Sequence, residues 1–252
     1  MIKNIVINIL MLAAVVNAQV NTEKFRTPEE FNGIAGYLEL SGTVKTGNSE
    51  KTEGNVDGRL DWKSGNTTTF FIFESEHEWI NGDRFSNLGL FHIRNIIQLS
   101  ERFKSEIFGQ INYDKNLLIN NRELAGAGIR ILLFHNEDSD AAFGTAYMFE
   151  HEKYDLPENS IHESNISTSR WSNYLSLYIK INEVLNFGGV VYFQPMFSDF
   201  EDYRILNENR LNIILSETFS FSVDLKIRHD SLPPEGIKKT DTKMNFGVQF
   251  RF

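Results

Sequence analysis

Glu74, Glu76 and Glu78 recur at every second position, and a strand would bring all three carboxylates to one face. Such a row can pair with cations on neighbouring strands, line a hydrated path and select for charge, or donate oxygens to calcium, which takes about six to eight. The calcium reading is the weakest, because no loop supplies the remaining ligands at a recognisable spacing and the EF-hand pattern is missing. No metal or cofactor is therefore expected. The polar face elsewhere carries Glu39, Asp57, Arg59, Asp61, Arg94, Lys104, Glu106, Arg130, Glu150, Lys180, Asp224, Lys226, Arg228 and Arg251. Both signs are mixed. A buried unpaired charge is costly, so Glu74, Glu76, Glu78, Arg94, Lys104, Glu106, Arg130, Lys226, Arg228 and Arg251 are expected either to form salt bridges or to ring a narrow path. His229-Asp230-Ser231 holds the residue types of a hydrolytic triad. Neighbours on a strand point to alternate faces, so these three read as a strand end entering a turn.

The composition limits what can position these side chains. The chain has 252 residues, 41% hydrophobic and 13% aromatic, with five prolines and no cysteine. That describes an ordered protein, and a length that a single all-β barrel or sandwich commonly fills. Without cysteine there is no disulfide scaffold, thiolate metal site or thiol nucleophile. A net charge of −9 repels a phosphate backbone, so nucleic acid is not an expected partner.

Met1-Ile2-Lys3, an apolar run from Ile5 to Val16 broken by Asn8, and the small-residue end Val16-Asn17-Ala18 have the form of a secretory signal peptide. The run is too short for a spanning helix, which needs ~20 apolar residues. The expected organisation is a signal peptide over 1–18, a periplasmic segment over 19–34 and one domain over 35–252.

That domain is written in a period of two. Met244, Phe246, Val248, Phe250 and Phe252 alternate with Asn245, Gly247, Gln249 and Arg251. Phe219, Phe221, Val223, Leu225 and Ile227 alternate with Ser220, Ser222, Asp224, Lys226 and Arg228. Only a strand turns this pattern into one apolar and one polar face. Further segments run over Gly36–Thr46, Lys51–Lys63, Thr68–Trp79, Ser86–Gln98, Phe103–Asp114, Arg122–Phe134, Ala142–Glu152, the stretch after Trp171, Leu185–Phe197 and Tyr203–Leu215, about twelve in all. Their length separates two barrels. A tilted strand crossing a bilayer needs about 9–11 residues, apolar outside and polar inside, whereas strands of soluble domains end sooner. With the export signal, this predicts an all-β, up-and-down transmembrane barrel.

Connections support the count, since barrels with both termini inside have short periplasmic turns and longer outer loops. Lys153–Arg170, Ser198–Asp202 and His229–Asp241 are extended, while Ser64-Gly65-Asn66, Ser100-Glu101 and Asn182-Glu183 are tight. Trp79 and Trp171 are expected near outer strand ends and Trp62 near a periplasmic one, as aromatic girdles require.

Two resemblances attach to particular residues. The first strand with Gly42-Thr43-Val44-Lys45-Thr46-Gly47-Asn48, and the segment Asp230-Ser231-Leu232-Pro233-Pro234-Glu235-Gly236-Ile237-Lys238-Lys239-Thr240-Asp241, resemble a family of outer-membrane barrels labelled salt-induced outer-membrane proteins. The resemblance implies a bacterial outer-membrane barrel and no particular activity. The ending Phe246-x-Val248-x-Phe250-x-Phe252 is similar to the signal by which the barrel-assembly machinery recognises its clients. His162-Glu163-Ser164-Asn165 is similar to the His-x-Ser-Asn core of outer-membrane phospholipase A, where histidine takes the serine proton. Here Ile166 replaces the glycine that follows that core, and the segment falls within a long loop. Lipid hydrolysis is thus the alternative. The leading expectation is a monomeric barrel in the bacterial outer membrane with lipid and the assembly machinery as partners. It would be a narrow passive channel or a structural envelope component, without a catalytic site.

Overall fold

The computed structural model describes residues 32–45, 51–81 and 83–252, and the expected signal peptide, most of the periplasmic segment and the Thr46-Gly47-Asn48 turn lie outside them. The described residues form β1 (Gly33–Lys45), β2 (Lys51–Ser64), β3 (Thr67–Ile80), β4 (Asp83–Gln98), β5 (Phe103–Asp114), β6 (Ile119–His135), β7 (Ser139–Tyr154), β8 (Asn165–Lys180), β9 (Leu185–Pro195), β10 (Tyr203–Ile214), β11 (Phe219–Asp230) and β12 (Thr240–Arg251). Each strand pairs antiparallel with its sequence neighbours, and β1 pairs with β12 to close a twelve-stranded barrel. The seam is short, with Tyr37–Leu40 registered against Val248–Arg251, and it joins the two end strands of the sheet into a ring. Phe252 completes the seam, exchanging two backbone hydrogen bonds of 3.1 Å with Gly36. A Cβ at position 36 would stand 2.8 Å from the Phe252 ring, so only glycine admits it.

The period of two settles which face is which. Phe246 is 57% exposed, and Met244, Val248, Phe250 and Phe219 are exposed beside it on the outer wall. The rings interlock across strands, Phe219 with Phe250 at 5.5 Å and Phe221 with Phe246 at 6.4 Å between centroids. Cross-strand aromatic pairs of this kind contribute about 0.2–1 kcal/mol each. Polar residues on this wall satisfy one another. Asn95 donates to Thr69 at 2.8 Å, Trp171 to Thr145 at 2.7 Å, and Thr145 to Asn173 at 2.9 Å.

Turns at one end are short, with Gly65 in the left-handed region between β2 and β3. At the other end the connections 155–164, 196–202 and 231–239 are long, although β3 and β4 are joined by only 81–82, where Asn81 accepts a left-handed backbone. Trp62 and Trp79 lie near strand ends as expected. Trp171 does not. β7 and β8 run to Tyr154 and from Asn165, which shortens the expected Lys153–Arg170 loop and puts Trp171 well inside β8. Beyond it the outward rungs turn polar on β8, with Ser169 opposite Phe149 and Ser167 opposite His151. The ribbon therefore continues past the apolar band, and Trp171 marks the edge of that band rather than the end of its strand.

Candidate functional site

The inward face is ionic and aromatic, not empty. Near the short turns, Arg59 pairs with Asp61 at 2.6 Å and lies 4.0 Å over the Phe70 ring. Arg94 reaches Glu106 at 3.1 Å, and the Tyr174 hydroxyl donates to the same carboxylate at 2.9 Å. Arg94 also lies 4.8 Å from the centre of the Phe108 ring. Tyr174 takes this position because Gly144 leaves space: a Cβ there would stand 2.0 Å from the tyrosine ring. At mid-height Arg210 binds Asp224 at 2.6 Å and Glu39 at 2.9 Å, while Ser222 donates to Glu39 at 3.2 Å.

A second network fills one side of the long-loop end. Glu150 receives Arg122 at 2.5 Å, Arg170 at 2.5 Å and Arg204 at 3.0 Å, and Arg204 continues to Glu152 at 2.8 Å and Asp230 at 2.9 Å. Three guanidinium groups thus surround one fully buried carboxylate, the compensation that a buried charge requires. Above this network Ile237, from the β11–β12 loop, packs on the cluster Leu117, Ile119 and Tyr154, so that loop folds over the mouth.

The other side of the same end is open. A cavity of about 900 Å³ is lined by nine carboxylates, among them Glu53, Asp57, Glu74, Glu76 and Glu78, and by five cationic side chains. Lys51 bridges Glu53 and Glu78 at 3.1 and 3.2 Å, Lys243 bonds to Glu53 at 3.2 Å and to Glu76, and Lys226 lies 2.7 Å from Glu208. Arg228 stands 3.6 Å from Asp241, its partner on the neighbouring strand, and 3.9 Å from Asp114 across the barrel. Among the described residues no group of three or more His, Asp or Glu side chains is placed to hold a metal ion.

A family model described as protein of unknown function, DUF481, matches residues 38–252. The chain belongs to this family. The NanC porin is similar in fold, with a TM-score of 0.50 at 10% identity over 86% of this chain and 100% of that one. The KdgM porin in complex with disordered oligogalacturonate gives a TM-score of 0.45 at 12% identity, over 87% and 99% of the two chains. No curated protein matches. The DUF481 chain is therefore a porin-like, closed antiparallel barrel.

The expected site residues of this DUF481 barrel do not form one site. Glu74, Glu76, Glu78, Lys226 and Arg228 share the vestibule. Arg94 and Glu106 pair in the lower half, and Arg130 reaches Ser176 at 3.4 Å. Lys104 and Arg251 are half-buried in the wall, with Arg251 donating to Gln249 at 3.1 Å. Arg122, Arg170, Arg204 and Arg210, which carry the densest ion pairing, were not among the expected residues. Around Arg204 and Arg210 the alternation is blurred: Arg204, Leu206, Glu208 and Arg210 interleave with Ile205, Asn207, Asn209 and Leu211, so an apolar residue falls in the charged set and two asparagines fall in the other. His162 and Ser164 lie in the 155–164 loop of the DUF481 chain, where the His162 ring contacts the Glu163 carbonyl at 2.9 Å and Ser164 Oγ accepts from Asn165 at 3.2 Å.

Proposed function

We propose that this chain is an outer-membrane barrel of the bacterial envelope that offers small cations a narrow passive route and does no chemistry. Its apolar outer wall suits hydrocarbon, and the ending Phe246-x-Val248-x-Phe250-x-Phe252 suits delivery by the barrel-assembly machinery. The observation that carries the reading is the vestibule, where nine carboxylates face five cations in a mouth of about 900 Å³. An excess of one sign inside low-dielectric walls raises the local concentration of counter-ions. Below the vestibule the lumen is crossed by paired side chains, which limits the route to small solutes.

Planar bilayers holding the purified protein test this directly. Small discrete conductance steps are expected, with a reversal potential under a potassium chloride gradient displaced toward the potassium equilibrium value. Anion selectivity, or no current in any salt, would replace the channel with a purely structural barrel. Phospholipid incubated with the protein is expected to release no fatty acid; release that disappears in Ser164→Ala would assign lipid hydrolysis instead.

A further inference from the structure

β2 and β3 meet inside the vestibule in three successive inward rungs: Glu53 opposite Glu78, Asn55 opposite Glu76, and Asp57 opposite Glu74. All six line the cavity. Like charges directly opposite one another on a sheet repel, and two of the three rungs are carboxylate pairs. The chain's own ammonium groups already lean on this ladder. Lys51 reaches Glu53 and Glu78, Lys243 reaches Glu53 and Glu76, and Lys226 lies 4.0 Å from Glu74.

The central rung adds an independent feature. Asn55 is only 8% exposed. Its amide nitrogen donates to Ser41 and to Glu53, each at 3.2 Å, and a carboxylate can only accept, so the amide orientation is fixed. That leaves Asn55 Oδ1 buried without a hydrogen-bond partner, a state that native structures avoid unless a donor arrives from elsewhere.

The ladder calls for a donor that is cationic and elongated. Inward residues on one strand succeed one another about every 6.7 Å, so Glu74 to Glu78 spans about 13 Å. The carboxylates are strung along the wall, and among the described residues none cluster tightly enough for a metal ion. Ammonium groups separated by about three or four methylenes repeat on nearly the rung spacing, and each secondary amine carries N–H donors. We propose that this ladder binds linear aliphatic oligoamines, an inner amine donating to Asn55 Oδ1 and Glu76 and the terminal ammonium groups meeting the carboxylate rungs. The inference names a solute class for the cation-favouring vestibule and rests on that reading's open mouth.

Spermine titrated calorimetrically into the detergent-solubilised full-length barrel, against magnesium chloride at equal ionic strength, tests it. Spermine is expected to bind at least tenfold more tightly than magnesium, and more weakly as sodium chloride is raised. Glu76→Gln and Asn55→Leu are each expected to lower spermine affinity about tenfold or more, worth about 1.4 kcal/mol per factor of ten. Glu183→Gln, on the exposed short-turn rim, loses the same charge and is expected to leave the affinity unchanged. Equal affinity for the two cations, or indifference to both ladder substitutions, overturns the proposal. The wild-type comparison decides even where a variant fails to fold. Conductance is read separately: tight spermine binding by a barrel that passes no current keeps the ladder and removes the channel, and a cation current indifferent to spermine does the reverse.

Discussion

Arg228 and Asp114 stand on β11 and β5, six strands apart around the wall, yet their side chains approach to 3.9 Å. The barrel is thus bridged across its full width inside the vestibule, near the long-loop ends of both strands. Removing the bridge should widen the route. Arg228→Ala is expected to raise single-channel conductance in planar bilayers and to increase cation preference, because it deletes a positive charge beside Asp114 and Asp241. An unchanged current would show that the constriction lies elsewhere.

Arg94 and Glu106 are almost fully buried, and breaking such a pair from one side leaves a charge without its counter-ion. Glu106→Gln is expected to cost about 3–5 kcal/mol of stability, read from urea unfolding in detergent micelles. The double variant Arg94→Met with Glu106→Leu should recover most of that loss.

The outer wall admits a sharper contrast. Phe246 lies at the middle of β12 on the exposed face, and Phe246→Arg is expected to destabilise the bilayer-inserted barrel by about 2–4 kcal/mol. Asn245→Arg, one residue away and facing the lumen, should cost less. Unfolding from lipid vesicles separates the two.

Glu235 ties two outer loops together. The Ser160 hydroxyl, its own amide, and the amides of His162 and Ile161 hold its carboxyl down at about 2. A depressed carboxyl pKa stabilises the folded loops above the unfolded value of about 4.3 and loses that contribution as pH falls toward the folded value. Spin labels on Asn159→Cys and Lys238→Cys should give a narrow distance distribution at neutral pH that broadens as pH approaches about 2. Glu235→Gln should show the broad distribution already at neutral pH.

Strand periodicity made most of the wall legible before any coordinate. The alternation in β11 and β12 assigned Phe219, Val223, Phe246 and Phe250 to one side and Asp224, Lys226 and Arg251 to the other, and strand length chose lipid for the apolar side. β7 and β8 extended further than expected because their outer rungs, such as Glu152 opposite Ile166, mix polar and apolar residues and carry a weaker alternation. The ion-pair partners were not legible. Parity states that Arg210 and Glu39 both face inward, and nothing in a period of two states that they meet at 2.9 Å across 171 positions of sequence.

A residue's face is fixed locally, by the pleat that turns each side chain opposite to its neighbours, so the chain alone specified a barrel with greasy outside and charged inside. Which charges touch depends on how far each strand is staggered along its neighbour when the sheet closes on itself. That stagger is a property of the whole ring, and only closure brought Arg228 to Asp114 and left Asn55 facing an open acidic mouth.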